Sequence, residues 1–127
     1  MMNNTIKSDN ALRKEIVLAK ALENLKNSWN LTGKELAEIV GVDDSVISRL
    51  SQATVFHPDK KQGQMALLLI RAYRSLGAFL GDRMQLQQDW LRAHHQVFNQ
   101  RPLDAMKTPE GLAYVVMYLD AMRGAEG

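Results

Sequence analysis

Cysteine is absent from the 127 residues of this chain. The protein therefore has no disulfide framework and no thiolate zinc site, which fits a reducing cytoplasm. The first ten residues are polar and lack the apolar centre of a signal peptide. The most apolar run, Met65–Ile70, is far shorter than the ~20 residues that a membrane span requires. We expect a cytoplasmic protein that does not contact a membrane.

The chain also lacks a large excess of positive or negative charge, and it lacks recognisable catalytic motifs. The net charge is only +2, and the basic residues are scattered among acidic ones, so charge alone does not indicate a nucleic-acid-binding protein. No glycine-rich phosphate loop is present, and the serines have no companion histidine at a suggestive position. His94 and His95 are adjacent, and neighbours on a helix point about 100° apart, which suits chelation of one metal poorly. We expect neither an enzyme nor a metal or cofactor site.

Apolar residues recur at helical spacing along nearly the whole chain, and no segment alternates as a strand does. The segment Ala53–Gly63 breaks this pattern at His57-Pro58-Asp59. We therefore predict an all-α fold with an N-terminal region, 1–60, and a C-terminal region, 61–127. The predicted helices outside the central motif are Asn10–Asn27, Gln64–Leu80, Met84–Phe98 with a break, and Pro109–Arg123 after a short turn at Leu103–Met106.

The strongest local motif is the segment Leu31–Gln52. Thr32 and Glu35 have the spacing of a capping box, and Gly41 supplies the left-handed residue of a tight helix–helix turn. The apolar residues occur where two steeply crossing helices bury side chains: Leu36, Ala37, Val40, Val42, Ile47 and Leu50. The segment resembles the helix-turn-helix of the Xre/lambda-repressor class, although a plain helical hairpin used for packing or dimerisation is the alternative.

A DNA-binding function would place the second helix, Ser45–Leu50, in the major groove. The DNA-contacting residues would be Asp44, Ser45, Ser48, Arg49 and Gln52. Asp43 or Asp44 can cap this helix, but two carboxylates near phosphate imply a modest affinity per monomer. We therefore expect a homodimer, which is also how a repressor of this class reads paired half-sites of operator DNA.

Helix-start signals define the last helix. Thr108 is a good N-cap, Pro109 suits the first helical position, and Glu110 favours the helix dipole. Gly111 costs about 1 kcal/mol relative to alanine there, which suggests close approach by another backbone. We expect this helix to be buried on one side and covered by a partner on the other. Upstream, Trp90 and Phe98 should be core residues.

The C-terminal half resembles the toxin-binding domain of the Xre/MbcA/ParS-like antitoxins. The matching elements are the Trp90-Leu91 pair, the turn Arg101-Pro102-Leu103-Asp104, the helix start Thr108-Pro109-Glu110-Gly111, and Gly124. The resemblance implies an antitoxin whose partner is a RES-type or ParT-type toxin that acts on NAD or uses it to modify a target. It also implies that the antitoxin covers the toxin's NAD-binding cleft and, in some members, represses its own operon.

Carried over to this chain, the resemblance assigns toxin contact to Arg101, Pro102, Asp104, Glu110, Gly111, Tyr114, Arg123 and Gly124. Because only three residues follow Gly124, we expect the end of the helix rather than an inserted tail to block the toxin. The alternative function is a stand-alone phage-type repressor whose C-terminal half only dimerises. Gly111→Arg should separate the two hypotheses, since it would abolish toxin binding and leave DNA binding intact if the fold survives.

Overall fold

A computed structural model describes residues 2–52 and 60–126, with side chains described from residue 13 to 52 and from 60 to 124. Within these ranges the chain forms α-helices and no β-strand, as the sequence predicts, and a single isolated bridge joins His95 and Gln100. The helices are α1 (Met2–Ser28), α2 (Gly33–Val40), α3 (Asp44–Ser48), α4 (Lys61–Leu80), α5 (Met84–Arg92), α6 (Pro102–Ala105) and α7 (Pro109–Glu126).

Several helix boundaries differ from the sequence predictions. Helix α1 begins at Met2 rather than Asn10, and α3 covers Asp44–Ser48 rather than Ser45–Leu50. Helix α5 ends at Arg92, well before Phe98, because Ala93 adopts an extended conformation and the chain turns back to pair His95 with Gln100. Of the predicted break at Ala53–Gly63, residues 53–59 lie outside the described residues, while residues 61–63 already belong to α4.

Helix α4 is the central element of the structure. It contacts α1, α2, α5 and, most extensively, α7, so that residues from both halves of the chain share one continuous apolar core. Its buried side includes Ala66, Leu69, Ala72 and Leu76, which recur at the spacing of one helical face. The buried Ser75 hydroxyl donates to Asp120 of α7 over 2.7 Å, which fixes the register of the two helices.

The aromatic side chains form a second layer beside this core. Trp90, His95, Phe98 and Tyr118 lie with ring centroids 4.9–6.4 Å apart in edge-to-face, tilted and stacked arrangements. Phe98 is buried as predicted, whereas Trp90 is only partly buried. Packing of Phe98 between these rings holds the loop 93–101 in a compact turn and overrides the helical preference of the segment.

Candidate functional site

The corner between α2 and α3 has the geometry that the sequence predicts. The Glu35 amide donates to Thr32 Oγ1 over 3.0 Å, and the Thr32 amide donates to Glu35 Oε1 over 2.9 Å, which completes the capping box. Gly41 has a φ of 84° and donates its amide to the Ala37 carbonyl, so the left-handed turn is confirmed. The six predicted apolar positions belong to the core, with Val42 partly buried and the others buried.

All five predicted DNA-contacting residues are exposed on α3 and the turn after it. Ser48 Oγ and Arg49 Nε both donate to the Ser45 carbonyl, over 2.9 and 3.1 Å, so these two side chains lie back along the helix end. Asp43 occupies the N-cap position but makes no side-chain capping bond, and Asp44 is the first helical residue. Asp43 therefore occupies the predicted N-cap position, but without the side-chain hydrogen bond that a full cap makes.

A groove of about 390 Å³ separates α3 from the end of α1 and the start of α2. Lys26 and Lys34 line it together with Glu23 and Asp44. This mixture of charges provides no uniform field that would attract phosphate. This groove therefore offers few unbalanced cations to a phosphate backbone.

The polar side of α2 is bound to the C-terminal half of the chain. Arg92 of α5 donates two hydrogen bonds to the Glu35 carboxylate, both 3.0 Å long, and a third to the Asn30 carbonyl. The hydrogen bond from Arg92 lowers the pKa of Glu35 to about 2. One turn further along α2, Glu38 pairs with Lys107 Nζ at 3.2 Å. Two glutamates of the predicted helix-turn-helix are thus neutralised by cations from the other half.

A second connection between the halves is buried. Trp29 Nε1 donates to Gln87 Oε1 over 3.0 Å, and Gln87 Nε2 donates to the Gly81 carbonyl over 2.7 Å. Both side chains are almost fully inaccessible to solvent. Every polar atom of this pair that is buried has a partner, so the contact specifies one arrangement of α1 and α5 without an unsatisfied group.

The corner between α6 and α7 is built from the predicted turn and helix start. Arg101 binds Asp104 through two hydrogen bonds of 2.7 and 3.0 Å, and Lys107 Nζ lies 3.2 Å from the same carboxylate. The hydrogen bond from Arg101 lowers the pKa of Asp104 to about 2. Thr108 Oγ1 accepts from the Gly111 amide over 3.1 Å, which confirms Thr108 as the N-cap.

Gly111 makes the close backbone approach that its position suggests, and the other backbone belongs to the same chain. A Cβ atom at residue 111 would lie 1.9 Å from the Ala105 carbonyl oxygen. Gly111→Arg would therefore disrupt the packing of α6 on α7, so this substitution does not isolate the interface in the way that the sequence suggested. Pro102 is also buried. These two residues shape the surface without presenting a side chain to a partner.

The outer side of α7 carries a stripe of exposed residues at helical spacing: Glu110, Tyr114, Met117, Ala121 and Gly124. Met117 is 67% exposed and Tyr114 is 49% exposed, while Leu112, Val115 and Leu119 on the opposite side are buried. We call these five residues the α7 stripe. Sequence reasoning named three of them and missed Met117 and Ala121, although their spacing from Tyr114 was the available signal.

Two family models together match most of the chain. The antitoxin Xre-like helix-turn-helix domain matches residues 10–71, and the antitoxin Xre/MbcA/ParS C-terminal toxin-binding domain matches residues 75–125. The chain belongs to the Xre/MbcA/ParS-like antitoxins. A search of curated proteins finds no match. Membership of this family, with a helix-turn-helix domain followed by a toxin-binding domain, supports the role of an antitoxin in a toxin–antitoxin pair.

The two matched regions of this antitoxin meet inside one helix. The first ends at residue 71 and the second begins at residue 75, both within α4. The α2–α3 corner lies in the helix-turn-helix match, and the α6–α7 corner and the α7 stripe lie in the toxin-binding match. In the part of the chain that the structure describes, no helix is both long enough and apolar enough to cross a membrane.

Proposed function

We propose that this antitoxin neutralises a RES-type or ParT-type toxin by placing the α7 stripe and the end of α7 over the toxin's NAD-binding cleft. The observation that carries the proposal is the exposed apolar stripe on a helix whose opposite side is fully buried. In this proposal, residues 61–127 bind the toxin and residues 1–60 bind operator DNA.

The α7 stripe has the properties of a protein-binding surface. Tyr114 offers a large aromatic ring with a polar tip, which is a residue type that contributes strongly to interfaces. Met117 offers a flexible apolar side chain that adapts to a partner. Because α7 packs along α4, the stripe is held rigid before binding, so that little conformational entropy is lost in the complex.

Charged residues at both ends of α7 would complete this surface. Glu110 is exposed in the first turn, and Arg123 and Gly124 are exposed near the end. Arg101 and Asp104 neutralise each other, so they would contribute hydrogen bonds at the margin rather than a net charge. Because a cleft that binds the phosphates of NAD is itself rich in hydrogen-bond donors and positive charge, Arg123 at the helix end would contact the margin of that cleft rather than its centre.

We also propose that α3 and the turn after it bind operator DNA, with a modest affinity per chain. Helix α3 has only five residues, and Asp44 at its start faces solvent. Arg49 would have to exchange its bond with the Ser45 carbonyl for a phosphate or guanine contact. Autorepression therefore requires at least two copies, in a homodimer or in a larger complex with the toxin.

The test is co-expression with the open reading frame next to this gene. The neighbouring protein is induced alone, with the wild-type antitoxin, and with Met117→Glu, while growth, cellular NAD and the co-purifying complex are followed. We expect growth arrest alone, rescue by the wild type, and loss of rescue and complex with Met117→Glu. Leu86→Glu is the matched control, because it places the same charge on an exposed apolar residue of α5.

Each part of the proposal has a result that contradicts it. If Met117→Glu rescued growth as well as the wild type does, the α7 stripe would not be part of the interface with the toxin. A harmless neighbour, or a harmful one without rescue and complex, would refute the pairing. Growth arrest with neither NAD loss nor NAD-dependent modification of a target would refute the NAD-utilising partner.

A further inference from the structure

A wide groove lies between α1, α4 and the end of α7, away from the α2–α3 corner. Its volume is about 730 Å³. Its floor is apolar, and it is formed by Val17, Leu18, Ala21, Leu67 and Ile70. Val17 is 65% exposed and Leu67 is 47% exposed, although both face the same groove. Exposed apolar surface that is gathered in this way indicates a site of interaction rather than ordinary surface.

The rim of the groove is cationic. It carries Arg13, Lys14, Arg71, Arg74 and Arg123. Among the side chains that the structure describes, no carboxylate lines the groove, and Asp120 beside it already binds Arg71 and Ser75. Because Asp120 compensates Arg71, the field comes from the four other cations of the rim; it favours an anionic occupant and would be strongest at low ionic strength.

The combination of floor and rim restricts the class of occupant. A second copy docked symmetrically through this groove would set one cationic rim against another, which like-charge repulsion disfavours. Nucleic acid would satisfy the rim but would leave Val17 and Leu67 without apolar partners. An amphipathic protein segment, with apolar side chains toward the floor and carboxylates along its edges, satisfies both.

The groove also adjoins the surface assigned to the toxin. Arg123 lines the groove and is followed directly by Gly124, the last residue of the α7 stripe. A partner that covers the end of α7 would therefore reach the groove without leaving the antitoxin surface. We propose that the groove binds an acidic amphipathic segment of the same toxin, as a second contact beside the α7 stripe; this inference rests on the proposed function.

The experiment is a competition between antitoxin variants for the toxin. The tagged neighbouring protein is co-expressed with equal amounts of the wild-type chain and one variant, and the ratio of the two forms in the purified complex is measured by mass spectrometry. Leu67→Glu tests the floor, Arg74→Glu tests the rim, and Met117→Glu tests the α7 stripe in the same competition. Leu86→Glu on α5 and Arg83→Glu at the residue before α5 are the matched controls, since both residues are exposed and neither lines the groove.

We expect each groove variant to be under-represented about tenfold or more, because the acidic segment would meet a new negative charge. The controls should stay within about twofold of the wild type. The deficit of Arg74→Glu should shrink when the wash contains more salt, whereas that of Leu67→Glu should shrink less. Thermal unfolding of each free variant verifies that the fold is retained.

Three results would overturn the inference. If both groove variants compete as well as the wild type while Met117→Glu does not, the toxin binds at the α7 stripe alone and the proposed function stands. If the neighbouring protein retains no wild-type antitoxin, the proposed function fails and the groove assignment fails with it. If sedimentation shows that Leu67→Glu dissociates a dimer of the free antitoxin, the groove is a contact between copies of this chain.

Discussion

The corner between α2 and α3 and the corner between α6 and α7 both depend on glycine, for different physical reasons. Gly41 has a positive φ of 84°, yet a Cβ atom there would meet nothing within 4 Å. Gly111 lies in an ordinary helical turn, yet its Cβ would fall 1.9 Å from a carbonyl oxygen. The first corner needs a backbone conformation and the second needs space, so the two should respond differently to the same substitution.

A second difference concerns how the carboxylate of each corner is held. Glu35 completes a capping box and binds Arg92, which is 57 residues away. Asp104 binds Arg101 and Lys107, which are both three residues away. The α2–α3 corner is thus stabilised by a long-range contact and the α6–α7 corner by local ones. This contrast implies that the α2–α3 corner loses part of its support when the halves separate, whereas the α6–α7 corner keeps its own.

Gly111→Ala should have the largest effect. The new methyl group forces α6 away from α7, and we expect a loss of about 3 kcal/mol or more in the free energy of unfolding. Chemical denaturation measures it, and Gly124→Ala is the control, because a Cβ there meets nothing and alanine should raise the stability by up to about 1 kcal/mol rather than lower it. A Gly111→Ala protein as stable as the wild type would mean that α6 does not pack on α7 as described.

Gly41→Ala should be intermediate in its effect. Alanine fits the open space but resists the left-handed conformation, which costs about 1–2 kcal/mol. Gly41→Asn should cost less, since asparagine adopts this conformation more readily. Thermal unfolding of the two variants provides the comparison, and equal losses for alanine and asparagine would argue against a left-handed residue at this turn.

Glu35→Gln should cost on the order of 1 kcal/mol at neutral pH, because glutamine preserves the capping box but loses the charge that binds Arg92. The folded-state pKa of Glu35, about 2, is below its ordinary value of 4.5. The contribution of the Glu35 carboxylate to the free energy of unfolding is therefore complete above pH 4.5, and it is lost as the pH falls toward about 2. Denaturation at a series of pH values should show a shallower acid dependence for the variant; an unchanged slope would contradict the ion pair.

Lys107 should give the smallest effect and the sharpest test of whether the two corners are coupled. It lies 3.2 Å from both Glu38 and Asp104, but all three side chains are partly exposed. We expect a coupling energy of about 0.5 kcal/mol or less in a double-mutant cycle of Lys107→Met with Glu38→Gln. A coupling well above 1 kcal/mol would show that the corners behave as one unit.

Local signals account for what the sequence predicted well. Three local features depend only on residues within a few positions of one another: the capping box at Thr32 and Glu35, the turn at Gly41 and the helix start at Thr108. Such features can be predicted without knowledge of the fold. The all-α class followed from the same periodicity. The unfavourable glycine at position 111 also indicated a close backbone contact, although its partner, Ala105, could only be identified in the structure.

Contacts between distant residues account for what was missed. The end of α5 at Arg92 depends on the burial of Phe98 among rings from α7, and no local pattern encodes that packing. The Trp29–Gln87 and Glu35–Arg92 contacts join residues 58 and 57 positions apart. The cationic groove could not be predicted either, because its rim collects one or two residues from each of three helices, and these charges look scattered along the chain.

The two tryptophans lie in different surroundings, so their fluorescence can report on two regions of the protein separately. Trp29 is fully enclosed and hydrogen-bonded to Gln87, whereas Trp90 is half-buried and stacks on Tyr118 in a ring cluster that reaches Tyr114 of the α7 stripe. Emission from Trp29 therefore reports on the integrity of the shared core. Emission from Trp90 reports on the polarity at the edge of the α7 stripe. Phenylalanine at one position or the other would let fluorescence distinguish an intact antitoxin that has bound its partner from one that has begun to unfold.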